Sequence, residues 1–159
     1  MGRIFAYLLR FAVILVGFVA AVLAASAFIH LLFLGSAGFL EEDVRPVAGA
    51  AMLFSVPFVA LFVAYFVFVP SVIAIGAAEL LGRRDWLSYA LLGAGVGIAF
   101  IATASGNVDA AYDLTTTPIA LGIIGGGMVG GIAYWLTAGR WAGSWRSEPP
   151  PRLPTSPEQ

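Results

Sequence analysis

The sequence predicts an all-α integral membrane protein: a four-transmembrane-helix bundle with both termini in the cytoplasm (N-in/C-in) and a disordered Pro-rich C-terminal tail. Composition is the first observation behind this prediction. Of the 159 residues, 60% are hydrophobic and 11% are charged, whereas about a quarter of the residues in soluble domains are charged. The second observation is that the apolar residues fall into four stretches, each long enough to cross a bilayer core of about 30 Å.

The first predicted span covers residues 11–34, where Ser26 and His30 are the polar members. As a helix, this stretch would extend about 36 Å. A secretory signal peptide is the alternative, because Arg3 and Arg10 form a basic N-terminal region and an Ala-Ser-Ala sequence resembles a cleavage site. The apolar run continues beyond that sequence, which favours a retained span.

The second predicted span covers residues 47–81, which as a helix would extend about 52 Å. This length exceeds the bilayer core, so the helix must tilt, kink or protrude. We expect kinks at Pro57 and Pro70, because proline lacks an amide hydrogen and clashes with the carbonyl four residues earlier. Gly82 is a suitable C-terminal stop.

The third and fourth predicted spans cover residues 86–104 and 118–138. Asp85 stands where an N-cap residue of the third helix is needed, since a short carboxylate can accept from free amides of the first turn. At the fourth helix, Thr117 offers a capping hydroxyl and Pro118 suits the first turn. Together, residues 1–139 form the predicted transmembrane domain, and residues 140–159 form a cytoplasmic interfacial and disordered tail.

The distribution of charge predicts the orientation. Seven of the eight basic residues, all of them arginine, fall at the N-terminus, in the second loop and in the tail: Arg3, Arg10, Arg83, Arg84, Arg140, Arg146 and Arg152. The first and third loops carry the acidic residues Glu41, Glu42, Asp43, Asp109 and Asp113. By the positive-inside rule, both termini are cytoplasmic. The exclusive use of arginine suggests a GC-rich bacterial genome, so we expect a multi-pass protein of the bacterial inner membrane.

Glycine is concentrated in the fourth span, although each glycine costs about 0.8–1 kcal/mol relative to alanine in a helix in water. Six of its ten residues from 122 to 131 are glycine: Gly122, Gly125, Gly126, Gly127, Gly130 and Gly131. In a membrane, small residues allow helices to approach closely. With 100° between successive residues, Gly122, Gly126 and Gly130 form one flat face, and Gly127 and Gly131 form a second.

The third span has a matching face that includes Gly93 and Gly97, so we expect the third and fourth helices to form a close antiparallel hairpin. The second glycine face could pack against the first helix, the second helix or another copy of the chain, which would give a homo-oligomer. A glycine-broken helix that lines a transport site is a further alternative.

His30, Asp109 and Asp113 are the candidates for a polar site. His30 is the one histidine, and an ionisable residue within a membrane span is a functional candidate. It could instead be a hydrogen-bonded structural residue, or bind a metal with loop carboxylates such as Asp109 and Asp113. Glu79 precedes Arg83 by four residues, which predicts an ion pair within one helix.

No pattern of catalytic residues accompanies these groups, so the sequence predicts neither an enzyme nor a cofactor, and nothing in it indicates nucleic-acid binding. We expect a structural or accessory subunit of the inner membrane, by itself as a homo-oligomer or within a larger membrane complex. The alternative is a channel or transporter for a small solute or ion. A water-filled cavity at mid-bilayer depth, lined by Ser55, Tyr65 or Ser71, would favour that alternative, and a dry core would favour the first interpretation.

Overall fold

The computed structural model describes residues 2–36, 45–104 and 116–142. These residues form four α-helices, α1 (Gly2–Ser36), α2 (Arg45–Leu81), α3 (Trp86–Ala104) and α4 (Thr117–Thr137), followed by one short 3-10 turn at Gly139–Trp141. Each α-helix contains a stretch long and apolar enough to span a membrane. The predicted all-helical architecture, with four helices long and apolar enough to cross a membrane, is confirmed.

The helices form a closed ring in which each packs against the next and α4 packs against α1. Within this ring, α3 and α4 are the most closely associated pair. The start of α1 and the end of α4 lie at the same end of the bundle, because Arg10 Nη1 donates to the Ala138 carbonyl oxygen at 3.4 Å. Which side of the membrane this end faces stays a prediction.

Two helices differ from their predicted extents. α1 begins at Gly2 rather than at residue 11, because no helix-breaking residue separates the first turns from the apolar run. α2 begins at Arg45 rather than at residue 47 and continues as one helix through Pro57 and Pro70, and the kinks expected at the two prolines stay a prediction. Membrane helices tolerate proline where neighbouring groups satisfy the carbonyls that it leaves without donors.

The turn between α2 and α3 has the local chemistry that its sequence predicts. Gly82 has a φ of +62°, and the Arg83 amide donates to the Ala78 carbonyl oxygen at 3.2 Å, as in a Schellman motif. The Ser88 amide donates to Asp85 Oδ2 at 2.9 Å, which confirms the predicted cap. The hydrogen bonds from Ser88 hold the pKa of the Asp85 carboxyl below its usual value.

The predicted start of α4 requires a correction. The N-cap residue is Thr116 rather than Thr117, and no side-chain hydrogen bond caps the helix. Thr117 is the first helical residue, so the proline at 118 occupies the second position of the first turn. Proline is tolerated there because an amide in the first turn has no acceptor within the helix. The predicted acidic loops and the tail beyond residue 142 lie outside the described residues.

Candidate functional site

The seam between α3 and α4 is built from glycine backbones in direct contact. A Cβ atom on Gly93 would overlap the carbonyl oxygen of Gly127, and one on Gly131 would overlap the carbonyl oxygen of Tyr89. At Gly97, a Cβ would lie 3.0 Å from the Ile123 carbonyl oxygen. Any larger residue at these positions would push the two helices apart.

The other glycine face of α4 packs against α1 of the same chain. A Cβ on Gly130 would lie 3.0 Å from the Ala21 carbonyl oxygen, and one on Gly126 would lie 3.4 Å from the Ile29 side chain. Gly122 is less crowded, with Leu32 Cδ1 3.8 Å from the Cβ position. The face that could have met a second copy of the chain is therefore occupied by α1.

A group of polar side chains lies at the end of the bundle where α1 begins and α4 ends. We call it the end cluster and define it as Arg10, Glu79, Arg84, Tyr89 and Tyr134. Arg10 Nη2 forms a salt bridge with Glu79 Oε1, joining α1 to α2. The ion pair of Glu79 with Arg83 that the helix spacing predicts stays a prediction. The interhelical ion pair brings the start of α1 and the end of α2 together across the bundle.

The two tyrosines of the end cluster are buried and stacked, with ring centroids 5.6 Å apart. The Tyr89 hydroxyl lies 3.2 Å from the Arg83 carbonyl oxygen and 3.4 Å from that of Gly139, so it has acceptors for its proton. The Tyr134 hydroxyl and Arg10 Nε are buried without a hydrogen-bond partner among the described residues. A buried polar group without a hydrogen-bond partner lowers the stability of a fold by about 1–3 kcal/mol, so each of these two groups needs an explanation.

Further hydrogen bonds join the α2–α3 turn to the end of α4. Arg84 Nε donates to the Ala142 carbonyl oxygen at 2.9 Å, and Trp135 Nε1 donates to the Arg84 carbonyl oxygen at 2.7 Å. The Arg140 guanidinium lies 4.4 Å from the centroid of the Trp141 ring. These contacts give the aromatic and basic residues of this end a structural role.

The four helices line a half-open central cavity of about 350 Å³. Apolar side chains and the backbone of small residues make up most of its wall, and the lining residues that carry a hydroxyl are Ser71, Tyr89 and Tyr134. Four α4 glycines line it: Gly126, Gly127, Gly130 and Gly131. On α2, the lining residues Phe62 and Phe66 are 52% and 57% exposed. The exposed part of the wall is therefore on α2.

Of the three residues named for a solute path, Ser71 lines this cavity, whereas Ser55 and Tyr65 do not. Tyr65 is 80% exposed on the outer surface of α2. Because water needs two to four polar partners in a buried site, the wall suits hydrocarbon better than water or an ion.

His30 is held within its own helix. Its Nδ1 donates to the Ser26 carbonyl oxygen at 2.8 Å, and the buried Ser26 hydroxyl donates to the Val56 carbonyl oxygen of α2 at 2.9 Å. Asp109 and Asp113 lie outside the described residues. Residues 2–36, 45–104 and 116–142 contain no group of three histidine or acidic residues able to hold a metal ion.

Arg10, Glu79 and the two tyrosines were not predicted to meet. The sequence indicates Arg10 only as a basic residue at the N-terminal end of the first span, and it predicts a partner for Glu79 four residues away. One signal was available, since all four residues lie near helix ends that the charge rule places on the same side.

No family model, curated protein or solved structure matches this chain.

Proposed function

We propose that this chain is a structural or accessory subunit of the bacterial inner membrane, with both termini cytoplasmic, and that it associates with other membrane helices through α2. The packed glycine faces of α3 and α4 support this proposal, because they hold the bundle together without any external partner. The observation that carries the proposal is the exposure of α2. Ala60 and Ala78 are the buried residues in its described part.

One face of α2 supplies the surface for a partner. Phe54, Phe58, Leu61 and Tyr65 recur at helical spacing and are 82%, 63%, 70% and 80% exposed, so they form one stripe. We call these four residues the outer stripe. Large aromatic and aliphatic side chains on a single face can interlock with a second helix by van der Waals packing, which drives helix association in lipid.

The test is purification in a mild detergent followed by mass measurement of the intact complex. We expect a mass above the 16.6 kDa of one chain, and we expect Phe58→Ala combined with Leu61→Ala to reduce it to that of the monomer. A matched control removes two exposed side chains from α3, Leu91→Ala with Ile98→Ala, and should leave the complex intact. A monomeric wild-type chain, or equal effects of both pairs, would contradict the proposal.

The central cavity supports a second candidate, a transporter for a small solute. Its apolar wall suits an uncharged solute, because an ion would lose its hydration without gaining polar partners. Reconstituted vesicles test this candidate: uptake of a small neutral solute should exceed that of protein-free vesicles and should fall when Ser71→Phe blocks the wall. Equal uptake with and without protein would exclude it. We propose no enzymatic function.

A further inference from the structure

Three arginines lie just beyond the apolar spans, at the end of the bundle where α1 begins and α4 ends. The spans of α2 and α3 are separated by a short turn that carries Arg83 and Arg84, and Arg140 lies in the 3-10 turn that follows the span of α4. All three residues are exposed. We call them the basic rim. Their position places them at the depth of the lipid headgroups.

Hydrogen bonds hold the two segments of the basic rim side by side. Arg84 Nε donates to the Ala142 carbonyl oxygen at 2.9 Å, and Ala142 follows Arg140 by two residues. Trp135 Nε1 of α4 donates to the Arg84 carbonyl oxygen at 2.7 Å. The backbones that carry the three guanidinium groups are therefore fixed within one region of the surface.

The guanidinium groups of the rim have hydrogen-bond donors to offer to a ligand. The central carbon of the Arg140 guanidinium lies 4.4 Å from the centroid of the Trp141 ring, and a contact with an aromatic face orders a guanidinium without using its N–H groups. Arg84 bonds to the backbone through Nε, and its two terminal nitrogens carry four further N–H donors. Guanidinium groups form charge-assisted, often bidentate hydrogen bonds to phosphate oxygens.

The charge of this surface is positive. Asp85 is the acidic residue of the turn, and its Oδ2 accepts from the Ser88 amide at 2.9 Å. Glu79 forms its salt bridge with Arg10 rather than with a rim arginine. Three arginines against one carboxylate give the rim an excess of positive charge, which favours an anionic ligand.

Apolar and aromatic side chains adjoin the basic rim and indicate what kind of anion it suits. Leu81, Leu87 and Leu136 are exposed and lie no more than four residues along the chain from a rim arginine. Trp86 and Trp141 are also exposed, and indole rings favour the boundary between hydrocarbon and water. A ligand with both an anionic group and an acyl chain matches this surface better than a free phosphate ion or an acidic peptide.

We propose that the basic rim binds the headgroup phosphate of an anionic phospholipid such as phosphatidylglycerol, whose acyl chains lie against the exposed leucines. This lipid site goes beyond the accessory role, because it includes no residue of the outer stripe on α2. Failure of the partner complex therefore leaves the lipid site standing, and failure of the lipid site leaves the partner complex standing.

The experiment is native mass spectrometry of the full chain in a mild non-ionic detergent. The protein is titrated with phosphatidylglycerol or with phosphatidylcholine that carries the same acyl chains. An arginine near an anionic headgroup contributes about fivefold in affinity, so three arginines should make phosphatidylglycerol the tighter ligand by at least about tenfold. Equal affinity for the two lipids would overturn the proposal. This comparison uses the wild-type chain and does not depend on whether any variant folds.

Competition distinguishes a lipid from other anions. Inorganic phosphate, glycerol 3-phosphate and a polyglutamate peptide should each fail to displace phosphatidylglycerol at equal concentration, because none of them has an acyl chain. Displacement by either small phosphate would show that the rim recognises a free anion. Displacement by polyglutamate would assign the rim to an acidic protein partner. Either result would overturn the proposal.

Variants test the basic rim directly. Arg83→Gln, Arg84→Gln and Arg140→Gln should each weaken phosphatidylglycerol binding about fivefold, and the triple variant should bind it no better than phosphatidylcholine. Arg140→Gln keeps the hydrogen bond from Arg84 to the backbone, so its effect does not depend on a change in the turn. Arg45→Gln is the matched control, because it removes one arginine from the opposite end of α2 and should leave the affinity unchanged. Undiminished binding by the triple variant, or an equal loss in Arg45→Gln and Arg140→Gln, would overturn the proposal.

Discussion

α4 and α2 are both apolar helices of membrane-spanning length, yet they pack against their neighbours in opposite ways. In α4, every glycine has a neighbouring atom within 4 Å of the position that a Cβ would occupy, and at Gly127, Gly130 and Gly131 the nearest such atom belongs to the backbone of another helix. In α2, fourteen large hydrophobic side chains are exposed, and a Cβ on Gly76 would meet nothing. The comparison shows that apolar character puts a helix in the membrane, while residue size decides how closely it packs.

The largest effect should come from filling the glycine seam. Gly127→Leu would place a side chain on the Gly93 backbone, where no rotamer can relieve the overlap, and should destabilise the bundle by about 3 kcal/mol. Gly95→Leu on α3 is the control, because a Cβ there meets open space. The measurement is thermal unfolding in detergent. Equal melting temperatures for the two variants would contradict the expectation that leucine is less well tolerated at a packed glycine position than at an open one.

The glycine spacing indicated two flat faces on α4, and the structure places α3 and α1 against them. Local sequence also located the end of α2 and the Asp85 cap, because a stop or a cap depends on a few adjacent residues. The pairing of Arg10 with Glu79 could not be predicted in this way, since it joins residues 69 positions apart. The same limit applies to the cavity, which exists only where all four helices meet.

The next largest effect concerns the ion pair that joins α2 to α1. The Arg10 and Glu79 side chains are 17% and 14% exposed. Removal of one partner from a fully buried ion pair lowers the free energy of unfolding by about 3–5 kcal/mol. Because water reaches part of this pair, we expect Glu79→Ala to lower it by about 2 kcal/mol. Hydrogen exchange in the last turns of α2 should increase. If Arg10→Ala with Glu79→Ala costs as much as the two single changes added together, the residues are not coupled.

Loss of the hydroxyl should lower the stability of the bundle at Tyr89 but not at Tyr134. Tyr89→Phe removes a donor with acceptors at the Arg83 and Gly139 carbonyls and should cost about 1 kcal/mol. Tyr134→Phe removes a hydroxyl with no partner among the described residues and should leave stability unchanged or raise it by about 1 kcal/mol. Thermal unfolding of both proteins in detergent measures the difference. A larger loss for Tyr134→Phe would mean that its hydroxyl is already satisfied.

The smallest effect should occur at the turn that connects the loosely packed α2 to the tightly packed α3. Ser88 lowers the pKa of Asp85 through hydrogen bonds to the carboxylate, so the unfolded state binds the proton more readily than the folded state. The resulting stability is present above the unfolded pKa of about 3.8 and is lost as the pH falls through the lower folded value. Because the carboxylate is fully exposed, solvent screening keeps the effect small.

Melting curves below pH 4 should show this loss of stability in the wild-type chain, and the Asp85→Ala protein should lack that component. An identical pH profile for both proteins would show that the Asp85 carboxylate does not stabilise the start of α3.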